Sequence, residues 1–294
     1  MVILENQIFK NAKNSDFFLQ RYLNKKKEKS KIFDAINYGL FSGGKKFRSF
    51  LICNTGEIFR LNKKILVAVG AAVECVHSYS LMHDDLSCMD DDNFRRGKPS
   101  THKVFGESTT ILAGNSLLTL AFEILTSNQL KCSSSIKSEL VYALSSCSGY
   151  KGVAGGQYLD LKFEKMKIDK NKILEMQNKK TGALISFCLE SAAILANKPK
   201  DRIFLKKIGF DIGLLFQITD DLLDIFGNSK KTGKLTRKDN KKGKATLFNK
   251  IGFNKTIEFA YFLFDRIKER LEKKYGTRAY SLISSVEFLL KRER

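Results

Sequence analysis

Residues 83–99 read HDDLSCMDDDNFRRGKP: five aspartates fall within the nine positions 84–92, and Arg95 and Arg96 follow at once. Two unit charges about 4 Å apart repel by roughly 4 kcal/mol at an effective dielectric near 20. A solvated loop, internal ion pairs or bound cations could offset that repulsion. A second acidic group, FQITDDLLDIFG, sets Asp220, Asp221 and Asp224 in a DDxxD pattern inside an apolar stretch. Positions i and i+4 lie about 40° apart around a helix, so Asp220 and Asp224 share a face. Carboxylates on an otherwise buried helix destabilise the fold unless they are compensated. Oxygen donors with no His or Cys partner favour a hard cation. Mg²⁺ takes one or two carboxylates, keeps several waters and fills its other positions with phosphate oxygens, which is the chemistry of a diphosphate site. The bland alternative is that the acids are helix-terminal charges neutralised by Arg95 and Arg96. Recurrence of the pattern at two places in one chain weighs against it.

A diphosphate also needs cationic donors. GGKKFR (43–48) supplies Lys45, Lys46 and Arg48 after a glycine pair that lets the backbone turn tightly. KKTGAL (179–184) presents Lys180 and Thr181 together, and KKTGKLTRKDNKKGK (230–244) follows the second acidic group. Most lysines of that last run read as a solvated charged loop. His77 lies seven residues before Asp84, which on a helix projects it along the same face. A lone His is more often a core or surface residue, but beside Lys45 and Arg48 it becomes a diphosphate donor. His83 adjoins Asp84 as a supporting partner, and His102 receives no assignment.

The elements that must carry these groups are helices. Ile212, Leu215, Phe216, Thr219, Leu222 and Leu223 recur at three- and four-residue steps. Strand-like alternation is scarce, and only two prolines, Pro99 and Pro199, interrupt the chain. Gly43-Gly44, Gly97-Lys98-Pro99 and Gly227-Asn228 look like helix ends and loops. The apolar runs 65–85 and 111–125 are interrupted by Glu74, His77 and Glu123, so neither reaches the roughly 20 residues of a membrane span. The expected fold is all-α, with many helices packed into a single domain over residues 1–294. The six cysteines form no CxxC pair and the N-terminus carries no secretory pattern, which together place the chain in a reducing cytoplasm. A net charge of +21 attracts polyanions without choosing among nucleic acid, membrane and diphosphate substrates.

Taken in order, GGKKFR, SLMHDDLSCMDDDNFRRGKPS, GGQYLD, KTGAL and FQITDDLLD make the chain resemble the trans-polyprenyl diphosphate synthases, most closely the bacterial farnesyl diphosphate synthases, over residues from about 30 to about 250. The resemblance implies a bundle of ten or more helices around a deep central cavity, a homodimer, and addition of isopentenyl diphosphate to an allylic diphosphate such as dimethylallyl or geranyl diphosphate. It implies three Mg²⁺ ions, with Asp84 and Asp90 holding two and Asp220 the third, while Asp85 and Asp224 orient ligands or waters beside Asp221. Arg95, Lys180 and Lys234 would hold the allylic diphosphate. Lys45, Arg48, His77 and Arg96 would hold isopentenyl diphosphate. Thr181 and Gln217 would lie near the developing carbocation, with Gln157, Asp160, Asp239 and Lys244 around them. Tyr79, five residues before Asp84 and beside the small Ser80, would floor the cavity and stop growth at fifteen carbons.

The chain departs from the family pattern at Ser49, where proline is usual, at Asn93-Phe94, and at TLFN (246–249), where a Tyr-Pro pattern is usual. Geranylgeranyl or another short-chain diphosphate is the alternative product. A class I terpene cyclase would not need GGKKFR or His77. A non-catalytic partner subunit would not need intact acids in both groups. A nucleic-acid-binding protein would have no use for paired DDxxD helices, so no nucleic acid and no transmembrane segment are expected.

Overall fold

The structure is a computed structural model that describes residues 2–164, 166–226 and 252–291. It is all-α. In chain order the helices are α1 (Val2–Asn24), α2 (Lys31–Leu40), α3 (Phe47–Ile58), α4 (Lys63–Asp84), α5 (Thr101–Phe105), α6 (Glu107–Thr126) and α7 (Ser134–Ser148). There follow α8 (Val153–Phe163), α9 (Lys170–Gln177), a π-helical turn (Asn178–Gly182), α10 (Ala183–Leu195) and α11 (Pro199–Phe226). After residue 252 come α12 (Phe253–Tyr275), a 3₁₀ turn (Gly276–Ala279) and α13 (Tyr280–Lys291). Two compact units divide the framework, Met1–Leu144 with Ser191–Lys198, and Ser145–Glu190 with Pro199–Arg294.

In the first unit α4 is the central helix. Asn62 caps it by accepting from the Lys64 amide at 2.9 Å, and every residue from Leu66 to Val76 is buried. Such a run needs neighbours on all sides, and α1, α3 and α6 supply them. On α6, Ala113, Leu117, Leu120, Ala121, Ile124 and Leu125 form the buried stripe of an amphipathic helix. By length and composition α4 and α6 are each long and apolar enough to cross a membrane, which the sequence reading did not allow for; α4 is mostly buried within this unit, whereas α6 buries one stripe and leaves Ile111 and Leu112 exposed. Burial pushes the Cys53 and Cys75 thiols up to about 12, so these cysteines behave as small hydrophobes.

In the second unit α11 buries Leu205, Ile208, Ile212, Leu215 and Ile218 in the expected three- and four-residue rhythm. The π turn packs against α8, α9 and α11. One local expectation is corrected: Gly97-Lys98-Pro99 is not a plain loop. Phe94–Arg95 (β1) and Lys98–Pro99 (β2) pair as an antiparallel hairpin, Phe94 opposite Pro99 and Arg95 opposite Lys98. Arg96 and Gly97 join the strands with φ of 53° and 76°, and two positive φ values in succession mark the two-residue turn that matches strand twist.

Candidate active site

In the first unit, α4 ends at Asp84 and the chain coils into a tight loop. The Asp90 amide donates to the Asp84 carbonyl at 2.8 Å, Asp91 donates to Leu86 at 3.0 Å, and Asp92 donates to Asp85 at 3.2 Å. These backbone bonds bring the start and end of the acidic run together, although Asp84 and Asp90 are six positions apart. Asp85 is 2 % exposed, and burial raises its carboxyl above the ordinary Asp value despite Arg95, which lowers it. The Arg95 Nε donates to both Asp85 oxygens, at 3.0 and 3.3 Å, and its terminal nitrogen makes a further bond to Asp85. Asp92 lies 3.7 Å from the same guanidinium. The bland reading therefore holds for part of the cluster: Asp85 and Asp92 share Arg95, which the hairpin delivers.

Arg96, one residue on, turns the other way. It donates to the Gly43 carbonyl and reaches the Ser42 hydroxyl at 3.4 Å. Gly44 lies beneath it with φ of 101°, and a Cβ there would stand 2.5 Å from the Arg96 Cζ. The glycine pair thus does two things, allowing the turn and seating the guanidinium. Within GGKKFR the three cations separate. Lys45 is exposed and Arg48 half-buried, whereas Lys46 is turned inward, donating to the Leu40 carbonyl at 2.7 Å and pairing with Asp16 at 3.7 Å. Lys46 is a structural residue.

His77 sits two helical turns before Asp84. Burial holds its imidazole well below the ordinary range, and the charges of Arg48, Arg96, Lys46 and Arg95 push the same way. It is neutral at neutral pH and can offer one ring N–H without adding charge. Tyr79 meets the His83 ring edge to face at 4.9 Å. His83 binds the Ile111 carbonyl on α6 at 3.1 Å, so it faces α6. Burial raises the Tyr79 phenol, as does the charge of Asp84. The Ser80 hydroxyl returns to the His77 carbonyl at 2.9 Å.

The second unit carries a separate constellation. Lys180 and Thr181 stand in the π turn, a rare element often found at functional sites. Lys180 pairs with the buried Asp160 of α8 at 2.5 Å. A Cβ on Gly156 would lie 2.1 Å from the Lys180 amide nitrogen, so only glycine lets α8 approach this turn. Thr181 donates to the Gln217 carbonyl oxygen at 3.1 Å, and the Gln217 amide donates to Asp221 at 2.9 Å. Gln157 is buried, and neither of its amide atoms is hydrogen-bonded among the described residues. Asp220 is half-buried beside Asp221. Asp224 continues α11, its side chain outside the described set, and Lys234, Asp239 and Lys244 lie outside the described residues.

The two constellations fit hard cations and a phosphate ligand. Their anionic donors are carboxylates alone. Carboxylates suit an ion that takes one or two of them and draws its remaining oxygens from substrate and water.

Sequence reasoning missed two participants. Asp16 anchors Lys46. The buried Glu74 of α4 accepts the Ser49 amide at 3.1 Å, satisfying a first-turn donor of α3. The Ser49 hydroxyl also meets Ser15 at 2.7 Å and Asn11 at 3.3 Å. Proline would have no N–H to offer Glu74, so the departure at Ser49 was the signal available.

Known proteins are similar in sequence and framework. The family model described as polyprenyl synthetase matches residues 29–282. Farnesyl diphosphate synthase of Bacillus subtilis (strain 168) is 41% identical over 211 residues, 71% of this chain and 71% of that protein. The crystal structure of an FPP/GFPP synthase from Zymomonas mobilis superposes with a TM-score of 0.87 at 34% identity, covering 98% of this chain and 99% of the other. A geranyltransferase from Helicobacter pylori, crystallised with magnesium and isoprenyl diphosphate, gives a TM-score of 0.83 at 27% identity, covering 98% of each chain.

Proposed function

The chain belongs to the polyprenyl synthetase family, and on that premise we propose how its residues carry out prenyl transfer. It is a trans-prenyltransferase of isoprenoid biosynthesis that elongates prenyl diphosphates, adding isopentenyl diphosphate to an allylic partner. The observation that carries the reading is the pair of carboxylate clusters: in the first unit Arg95 sits on Asp85, and in the second Asp221 is joined through Gln217 to Thr181, the neighbour of Lys180 in the π turn. We read residues 1–294 as one synthase domain, supported by a family match that runs through both units.

Lys45, Arg48, His77 and Arg96 would bind isopentenyl diphosphate. A neutral His77 donates a hydrogen bond where a further charge would add to the repulsion among its cationic neighbours. Arg95, Lys180 and Lys234 would bind the allylic diphosphate, with Lys244 in support. Asp85 and Asp160 hold Arg95 and Lys180 ready for that task. Asp84, Asp90 and Asp220 would hold Mg²⁺, three ions in this reading, which when bound neutralises the diphosphate as it departs. Thr181 and Gln217, linked to each other and through Gln217 to Asp221, would lie near the delocalised allylic cation and stabilise it with their dipoles. Asp224 would orient ligands or waters at the same end of α11. Exclusion of water protects the cation. The isopentenyl double bond then attacks its first carbon, and the released proton passes to the departed diphosphate.

The product we propose is the fifteen-carbon farnesyl diphosphate, with Tyr79 as the floor and the small Ser80 beside it. The alternative, a longer short-chain product, follows if the Tyr79 ring does not block growth. A homodimer is proposed with support from the outward Ile111 and Leu112 of α6, 40 % and 55 % exposed. A reducing cytoplasm is proposed; none of the six cysteines is in a disulfide.

Incubation of purified protein with labelled isopentenyl diphosphate, dimethylallyl diphosphate and Mg²⁺ tests the reading. Elongated labelled diphosphates are expected, and folded protein that forms none would overturn it.

A further inference from the structure

None of the residues placed in the prenyl-transfer machinery lines a cavity of about 740 Å³ that opens in the first unit. Its walls come from α1, from the start of α4 and from Gln129. The volume falls within the roughly 300–1,000 Å³ of small-molecule sites. Lys64 stands twenty residues before Asp84 on the same helix, about 30 Å away at 1.5 Å per residue.

Its lining divides by chemistry. Phe17, Phe18 and Val67 form an apolar wall, Val67 buried and Phe17 61 % exposed. Arg21 from α1 and Lys25 just beyond its end, with Lys63 and Lys64 from the first turn of α4, stand exposed around it. Their neighbour Lys26 is paired with Glu123. Among the described residues none of those four has a carboxylate within 4.0 Å. The α4 N-terminus adds its partial positive charge to the same end. Arg21 lies 5.7 Å from the Phe17 ring centroid, so charge and aromatic surface meet. Four like charges repel one another, and an exposed Phe in their midst gains nothing from water. One class of ligand answers both features, an apolar chain ending in an anion.

We propose that this groove binds a single-chain anionic amphiphile as a monomer from solution. Its phosphorylated head sits on Arg21, Lys63 and Lys64, and its tail lies along Phe17, Phe18 and Val67. The site stands apart from the prenyl-transfer reading and does not depend on it.

The test is calorimetric titration of the full chain with dodecyl phosphate below its micellar concentration, without added Mg²⁺. Wild-type protein should bind it. The Lys63→Glu/Lys64→Glu double variant and Phe17→Ser should each bind about tenfold more weakly or worse, while prenyl transfer is retained. Should the double variant fail to fold by circular dichroism, Arg21→Glu provides the same charge reversal at one position. Unchanged affinity in the folded charge variants overturns the proposal. So does equally tight binding of inorganic phosphate, which has no tail, or association with anionic phospholipid vesicles but not with the monomer.

Discussion

At the residue scale, neighbours rather than residue type decide what each ionisable group does. Three cations within GGKKFR occupy three environments, and only Lys46 is turned into the interior to serve the fold. His77 is the clearest titration case. In the folded chain burial, then the charges of Arg48, Arg96, Lys46 and Arg95, keep it neutral well below the ordinary imidazole value of 6.5. As pH falls the unfolded chain therefore takes up this proton first. The stability this residue contributes is complete above about pH 6.5 and declines below it, by at most about 1.4 kcal/mol per pH unit. His77→Gln should flatten that decline. Urea unfolding of both proteins between about pH 7.5 and 5 reads the difference, and parallel curves would refute the assignment. Tyr79 is tested by its product: Tyr79→Ala should yield prenyl diphosphates beyond fifteen carbons on chromatography, and an unchanged length removes the ring from the role of floor.

At the element scale, two departures from regular helix do the positioning. The hairpin after α4 sends Arg95 and Arg96 in different directions because adjacent strand and turn positions cannot share one. The π turn widens the helix between α9 and α10 where Lys180 and Thr181 must point at different partners, Asp160 and Gln217. Gly156 is the contact that admits this turn to α8. Gly156→Ala would force a Cβ onto backbone 2.1 Å away, with a loss of about 1–3 kcal/mol on thermal or urea unfolding. If the turn positions Lys180 and Thr181, kcat/KM should fall by more than the folded fraction does. A destabilised variant with unaltered kcat/KM would make the contact purely structural.

At the scale of the whole molecule, Asp84 belongs to the first unit and Asp220 to the second, whereas the proposed reaction needs both to serve one diphosphate. Inorganic diphosphate and Mg²⁺ together should raise the melting temperature more than the sum of either alone. About 2.7 kcal/mol of stabilisation is expected at a hundredfold excess over the dissociation constant. Asp84→Asn and Asp220→Asn should each abolish that excess. If each removed only part and the double variant lost their sum, the clusters would be independent sites. Much of this was legible in the chain itself. The three- and four-residue rhythm of apolar positions determined the helices, because burial repeats with the helical period. The DDxxD run, the acids after His83 and the glycine-led basic motif carried the chemistry proposed for it, because oxygen donors and cations in that order suit a magnesium diphosphate. Only the tertiary structure decided which charges are already engaged. Arg95 meets Asp85 across ten residues, Lys180 meets Asp160 across twenty, and Thr181 meets Gln217 across thirty-six. Separations of that kind are closed by the packing of helices, and no local pattern in the chain encodes them.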